Sequence, residues 1–128
     1  NHALSENGIL LLEPHSFGVV KNIGQPPPSW CSAKSGLFSE KPHICLDENF
    51  WDEQSSTATK RWFIIDASTG DVARYASTYQ AYTDKQYRSL LKECSFEAIE
   101  FYPSLGEAKG KHQTDLIAIV ARKPVEGN

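Results

Sequence analysis

The side chains able to do chemistry fall into a few short stretches. Glu13, Pro14, His15, Ser16 and Phe17 follow directly on the aliphatic run Ile9–Leu12, so an acid and an imidazole stand two positions apart beside an aromatic ring. An imidazole titrates near neutrality and can take and return a proton during a reaction. A carboxylate next to it can orient the ring or bind a cationic substrate. The bland alternative for His15 is a hydrogen-bonded loop histidine, and for Glu13 a solvated acid at a strand end. A second stretch sets Asp47, Glu48, Asp52 and Glu53 around Phe50 and Trp51. Acids beside aromatic faces suit an amine or another cation, although a solvated acidic turn packed through its rings is the reading the residues favour. In the third, His43, Cys45 and Asp47 alternate along one segment. Ligands at i, i+2 and i+4 of a strand spread over too long a line to close a compact tetrahedron, so no metal site is expected there.

The elements that must position these residues are legible in outline. Ile9–Leu12 is a continuous apolar run, which predicts a strand buried on both faces, as in a parallel sheet covered by helices. Pro14 cannot donate to a ladder and ends it. Ligands of open α/β sheets bind just beyond the carboxyl ends of such strands, which places Glu13, His15 and Phe17 at a functional edge. Residues 18–34, with Gly24 and the run Pro26–Pro28, read as a stiff loop holding at most a short helix after Phe17. Trp30, Leu37 and Phe38 either seal the underside of that loop or line a pocket.

Residues 42–53 predict a strand with two unlike faces, 55–59 a polar connector, 61–66 a second strand and 72–81 a third, with a turn at Ala67–Asp71. Together they form an antiparallel three-strand meander. Ala73, Tyr75, Ser77 and Tyr79 share one face of the third strand. Trp62 is expected in the core beneath it. Thr83 and Gln86 have capping-box spacing, Tyr82 and Tyr87 that of a hydrophobic staple, and Tyr87, Leu90, Leu91 and Cys94 form one helical stripe. Residues 96–105 and 115–123, separated by the polar stretch Gly106–Thr114, predict a terminal hairpin.

At 128 residues and a net charge of −3, the chain has room for one core and carries no basic run, so a nucleic-acid partner is not suggested. No apolar stretch approaches transmembrane length and the first residues show no signal-peptide pattern. Cys31, Cys45 and Cys94 form no Cys-x-x-Cys and read as reduced thiols of a cytoplasmic protein, at least two of them as small core residues. Asn1–Leu4 resembles the tail of a helix, so the chain is expected to be a piece of a longer protein.

The order of elements carries a resemblance. A helix end, a turn closing on Gly8, the strand Ile9–Leu12, a helix ending Leu91-x-x-x-Ser95-Phe96, a strand and the final Leu116–Pro124 together resemble the C-terminal half of class I S-adenosylmethionine-dependent methyltransferases. In that family a leucine-proline-glycine-glycine turn precedes the fifth strand, and a glycine-phenylalanine pair follows the last helix. Here Glu6-Asn7 replaces the Pro-Gly of the turn and Ser95 replaces the helix-stop glycine. The family's two closing strands form a reversed hairpin that makes the sheet mixed.

The resemblance implies an α/β fold, the C-terminal portion of a Rossmann-like sheet, with residues 18–81 a loop and antiparallel insert on the substrate side and 82–124 a helix plus terminal hairpin. Viewed as an isolated chain it would be α+β, a single or partial domain. It further implies that His15 is the candidate base, assisted by Glu13. Phe17, Trp30, Phe38, His43, Trp51 and Tyr79 are the candidate substrate-binding residues, and the substrate is a small molecule. S-adenosylmethionine would belong to the full-length parent: no Gly-x-Gly follows a strand here, so the chain alone is expected to bind it poorly. Cut from its neighbours, strand 9–12 would present an edge open to self-association, dimerisation or domain swapping. The competing expectation is a non-catalytic α+β ligand-binding or protein-interaction domain.

Overall fold

The computed structural model describes residues 3–105 and 115–125. The polar stretch Gly106–Thr114 and the first two residues of the expected helix tail lie outside them; Ala3 and Leu4 form a turn and bend. The chain forms two compact units, one of residues 1–19 with 82–128, the other of residues 20–81.

The first unit is a three-stranded sheet in the order β1-β7-β6, formed by β1 (Ile9–Leu12), β6 (Glu97–Tyr102) and β7 (Ala118–Arg122), with helix α2 (Asp84–Glu93). Both pairings are antiparallel, Ile9 lying opposite Arg122 and Tyr102 opposite Ala118. β7 is thus flanked on both sides, and it is correspondingly apolar and buried, with Ile119 at 1 % exposure. Around Ile119 and Ala121 pack Leu91 of α2 with Phe96 and Ile99, while Leu10, Leu12, Tyr87 and Phe101 close the periphery.

The helix begins as its sequence dictates. The Gln86 amide donates to Oγ1 of Thr83, and the Gln86 side chain accepts from the Thr83 amide, so two otherwise unpaired helix-end donors are satisfied. The Tyr82 and Tyr87 rings lie 5.2 Å apart as the staple. At the other end Ser95 takes φ 61°, and the Phe96 amide donates back to the Leu91 carbonyl. Serine thus accepts the left-handed stop that glycine takes without steric cost. β6 carries a bulge between Glu97 and Glu100, with Ala98 at φ 47°. Arg88 fastens it: its guanidinium donates to the Ile99 carbonyl at 2.7 Å and lies 4.8 Å from the Phe101 ring.

The second unit is a four-stranded antiparallel sheet, β2 (Ser29–Ala33), β3 (His43–Asp52), β4 (Thr57–Asp66) and β5 (Val72–Gln80), in sequential order. Helix α1 (Phe17–Ile23) leads into it. Gly24 closes that helix against β3, and a Cβ there would meet the Phe50 carbonyl oxygen at 2.5 Å. The β4–β5 turn is built by Asp66, whose carboxylate accepts from the Ser68 hydroxyl and from the Ser68 and Thr69 amides, with Gly70 at φ 78°.

Five expectations need correction. Strand 9–12 is not buried on both faces: Leu10 and Leu12 pack against the core around Ile119, while Ile9 and Leu11, which alternate onto the other face, are exposed. Every described pairing is antiparallel, so the parallel, mixed sheet is not seen in this chain. The meander has four strands, because Ser29–Ala33 leaves the proline run extended and pairs with β3, and Thr57–Thr59 of the supposed connector belong to β4. The α2 stripe is narrower than its spacing suggests: Leu91 is buried and Tyr87 half-buried, but Leu90 and Cys94 are exposed. Cysteines are not core residues either, since Cys31 and Cys94 are exposed and Cys45 is half-buried.

Candidate functional site

In the first unit the backbone beyond β1 keeps company with the segment leading into β7. The Ile117 amide donates to the Pro14 carbonyl at 2.9 Å, His15 bridges Leu116, and the Ser16 amide donates to the Asp115 carbonyl. His15 itself is exposed, with Nδ1 3.3 Å from the Asp115 carbonyl oxygen. A carbonyl only accepts, so this contact places the ring proton on Nδ1 and leaves the Nε2 lone pair free to accept one. Glu13 is exposed and Phe17, the first residue of α1, is half-buried. The three sit in sequence where the strand ends, on backbone tied to β7.

In the second unit the two-residue alternation of strands sorts the remaining candidates by face. One face carries His43, Cys45, Asp47 and Trp51 of β3, Trp62 of β4, and Tyr75 and Tyr79 of β5, since Trp51 lies opposite Ala58, Ala58 opposite Tyr79, and Trp62 opposite Tyr75. Ala58, fully buried, lies in register between Trp51 and Tyr79. Phe38, from the loop before β3, lays its ring 5.4 Å from Trp62 and 4.9 Å from Tyr75. His43 is 4 % exposed and its Nδ1 lies 2.7 Å from the Lys41 carbonyl oxygen. Phe38, His43, Trp51 and Tyr79 therefore share this face.

Trp30 does not. It stands on the opposite face in a row with Leu46 and Phe63, and these three, with Pro28, Ser29, Asp47 and Glu48, line a cavity of about 370 Å³. Leu46 and Phe63 are pocket residues that sequence reasoning missed. The available signal was the register, since only after β2 is recognised as a strand do Trp30, Leu46 and Phe63 fall in line.

The charges around these aromatics are engaged by neighbours within the same unit. Lys21 holds Glu53 at 3.0 Å and lies 5.5 Å from the centre of the Trp51 ring, which also donates its indole N–H to Glu53. These two donors, the indole first, hold the Glu53 carboxyl below its ordinary range. Asp52 is likewise held low by the Ser55 hydroxyl and the Gln54 and Ser55 amides. Arg61 pairs with Glu48 at 2.8 Å and covers the Phe50 ring at 4.5 Å, and Lys60 lies 5.5 Å from the Trp62 ring. Ser29 donates to Asp47. Of the acids beside Phe50 and Trp51, Glu48 and Glu53 thus already serve cations of the chain itself, while Asp47 and Asp52 accept from hydroxyls and amides. Among the described residues no group of three or more histidine, cysteine or acidic side chains converges as a metal set, and no helix is long and apolar enough to cross a membrane.

No protein-family model matches the sequence, and no curated protein does. Solved structures do. A S-adenosylmethionine-dependent methyltransferase from Clostridium acetobutylicum ATCC 824 matches with a TM-score of 0.61 at 12 % identity, over 97 % of this chain and 48 % of its own. The CcbJ methyltransferase from Streptomyces caelestis matches with a TM-score of 0.61 at 10 % identity, over 95 % of this chain and 49 % of its own. The chain has the fold of part of these methyltransferases and spans about half their length.

Proposed function

We propose that this chain is the substrate-side, C-terminal part of a S-adenosylmethionine-dependent methyltransferase acting on a small molecule in the cytoplasm. The observation that carries the reading is the likeness of nearly the whole chain to about half of two such methyltransferases. The order β1-β7-β6 supports it further, with one side of β1 left to a neighbour that would make the sheet mixed.

The residues present do not fit a complete cofactor site. Of the described glycines, Gly70 has a left-handed backbone but serves the β4–β5 turn, Gly24 is packed under Phe50, and none lies in a loop joining a strand to a helix N-terminus. S-adenosylmethionine, which supplies the methyl group in such enzymes, would be held by residues outside this chain. What this chain contributes is the acceptor side. Methyl transfer depends mainly on holding the nucleophile in line, and a base then removes its proton. His15, with Nδ1 tied to the Asp115 carbonyl, offers Nε2 as that base, with Glu13 two residues away to orient it or to bind a cationic substrate. Phe38, His43, Trp51 and Tyr79 on one face of the second sheet, and Trp30 on the other, remain the candidate substrate contacts.

The test is a calorimetric titration with S-adenosylmethionine of a longer parent polypeptide, with the 128-residue chain in parallel. Binding by the parent alone is expected. In the parent, His15→Gln should leave that binding intact and lower kcat about 10²–10⁴-fold, the range for loss of a positioned base. A parent that binds no S-adenosylmethionine sinks the reading. Tight binding of another small molecule by the 128-residue chain alone would favour a binding domain instead. The open side of β1, with Ile9 and Leu11 half-exposed, should also drive self-association of the isolated chain; a monodisperse monomer in light scattering would count against that.

A further inference from the structure

We propose that Cys31 and Cys45 form an oxidation-responsive dithiol, which a hydroperoxide converts into a disulfide across strands β2 and β3. The inference is independent of the methyltransferase reading. β2 and β3 run antiparallel with Cys31 directly opposite Cys45. Opposed residues of such a pair have Cα atoms about 4.5 or 5.5 Å apart, depending on whether they exchange hydrogen bonds. Both spacings fall inside the window of about 4.4–6.8 Å in which a disulfide closes. The two side chains leave the same face of the sheet, and neither is bridged.

Their surroundings divide the roles. Cys31 is exposed on β2, the outer strand of the four-stranded order, and meets a solvent oxidant first. Cys45 is half-buried, and burial first, then the negative charge available at Cys31 and Asp47, keeps its thiol protonated. It is suited to wait as the resolving partner. In the first step the Cys31 thiolate attacks a peroxide oxygen, the O–O bond breaks, and Cys31 becomes a sulfenic acid as one water leaves. In the second, the Cys45 sulfur gives its proton to solvent and attacks the Cys31 sulfur. The S–O bond breaks and the hydroxyl departs as a second water. The two thiols lose two electrons and two protons in all, and hydrogen peroxide receives them.

The bridge would fasten the middle of β2 to β3, one residue from Trp30 opposite Leu46. Oxidation would thereby lock the wall of the cavity formed by Trp30, Leu46 and Phe63.

The experiment treats the 128-residue chain with hydrogen peroxide, alkylates it with iodoacetamide and digests it with trypsin without reduction. Lys34 separates the two cysteines, so a bridged chain yields a joined pair of peptides carrying Cys31 and Cys45, while Cys94 is alkylated. A Cys94→Ser chain should give the same pair. A Cys45→Ser chain should instead retain a Cys31 sulfenic acid that dimedone traps. The bridged chain should melt about 5 °C or more above the reduced one, because the closed loop restricts the unfolded state. Unbridged Cys31 and Cys45 after peroxide, or a joined pair that requires Cys94 or links two chains, would overturn the proposal.

Discussion

The two units are both antiparallel sheets, yet different forces hold them. In the first, aliphatic and aromatic side chains of α2, β6 and β7 close around Ile119 and Ala121, and burial of that area stabilises without directional demand at about 25 cal/mol per Å². In the second, the buried apolar side chains are few, among them Val20, Ala58, Ile64 and Ala81. The sheet is knitted instead by rings on rings, cations over rings and ion pairs at the surface. Exposed contacts of that kind contribute roughly 0–1 kcal/mol each. The first unit gathers its large side chains in one buried cluster, while the second leaves Trp30, Leu46, Phe50 and Tyr75 exposed. A sheet that presents aromatic and charged groups must do so at the expense of core.

The contrast can be broken or sharpened by substitution. Ile119→Ala, deep in the first core, should cost about 2–5 kcal/mol in urea denaturation. Hydrogen exchange should then quicken in β6 and β7 while β3 and β4 keep their protection; equal loss in both sheets would mean that the units unfold as one body. Gly24→Ala probes the second unit, where the added Cβ meets the Phe50 backbone. A cost of about 1–3 kcal/mol is expected from overpacking, with exchange quickening around Phe50 and Trp51. Thr83→Ala removes the capping box of α2 and should cost about 1 kcal/mol, seen as faster exchange at Gln86 without change in the second sheet.

The smallest effect concerns acid. The Ser68 hydroxyl first, then the Ser68 and Thr69 amides and Lys41, lower the Asp66 carboxyl to about 2, below the unfolded value of about 3.9. A lowered folded value favours the folded state above the unfolded one. That contribution is therefore whole above about pH 4 and is lost as pH falls through about 2. A carboxyl signal of Asp66 titrating near 4 in nuclear magnetic resonance would dissolve the account of this turn, and Asp66→Asn should remove its share of the acid slope.

Local chemistry was the legible part of the sequence. Thr83 with Gln86, Tyr82 with Tyr87, Gly70 within Ala67–Asp71 and Ser95 before Phe96 announce their turns and caps because each is completed within six residues. Trp62, expected in the core, is half-buried against Phe38. Pairing between distant segments was not legible. Ser29–Ala33 looks like loop because its partner, β3, lies beyond another nine residues of polar and glycine-containing chain. The opposition of Cys31 and Cys45 follows from that pairing and stays hidden with it. β1 misled in the other direction: a continuous apolar run reports what faces it, and on one side none of the described residues does. The separation of Trp30 from Trp51 and Tyr79 turns on strand parity, which one uncertain boundary is enough to reverse.

The ladder between Ile9 and Arg122 has a consequence in time. The second unit is continuous in sequence, and its strands join through short links, so its contacts close loops of modest entropy cost and can form early. β1 must instead wait for a partner more than a hundred residues away. During synthesis β1 would lack this partner while the second unit completes its own contacts, until β7 emerges. That interval, rather than the finished molecule, is when Ile9–Leu12 is most exposed to capture by another chain, and slowing translation before Ala118 should lengthen it.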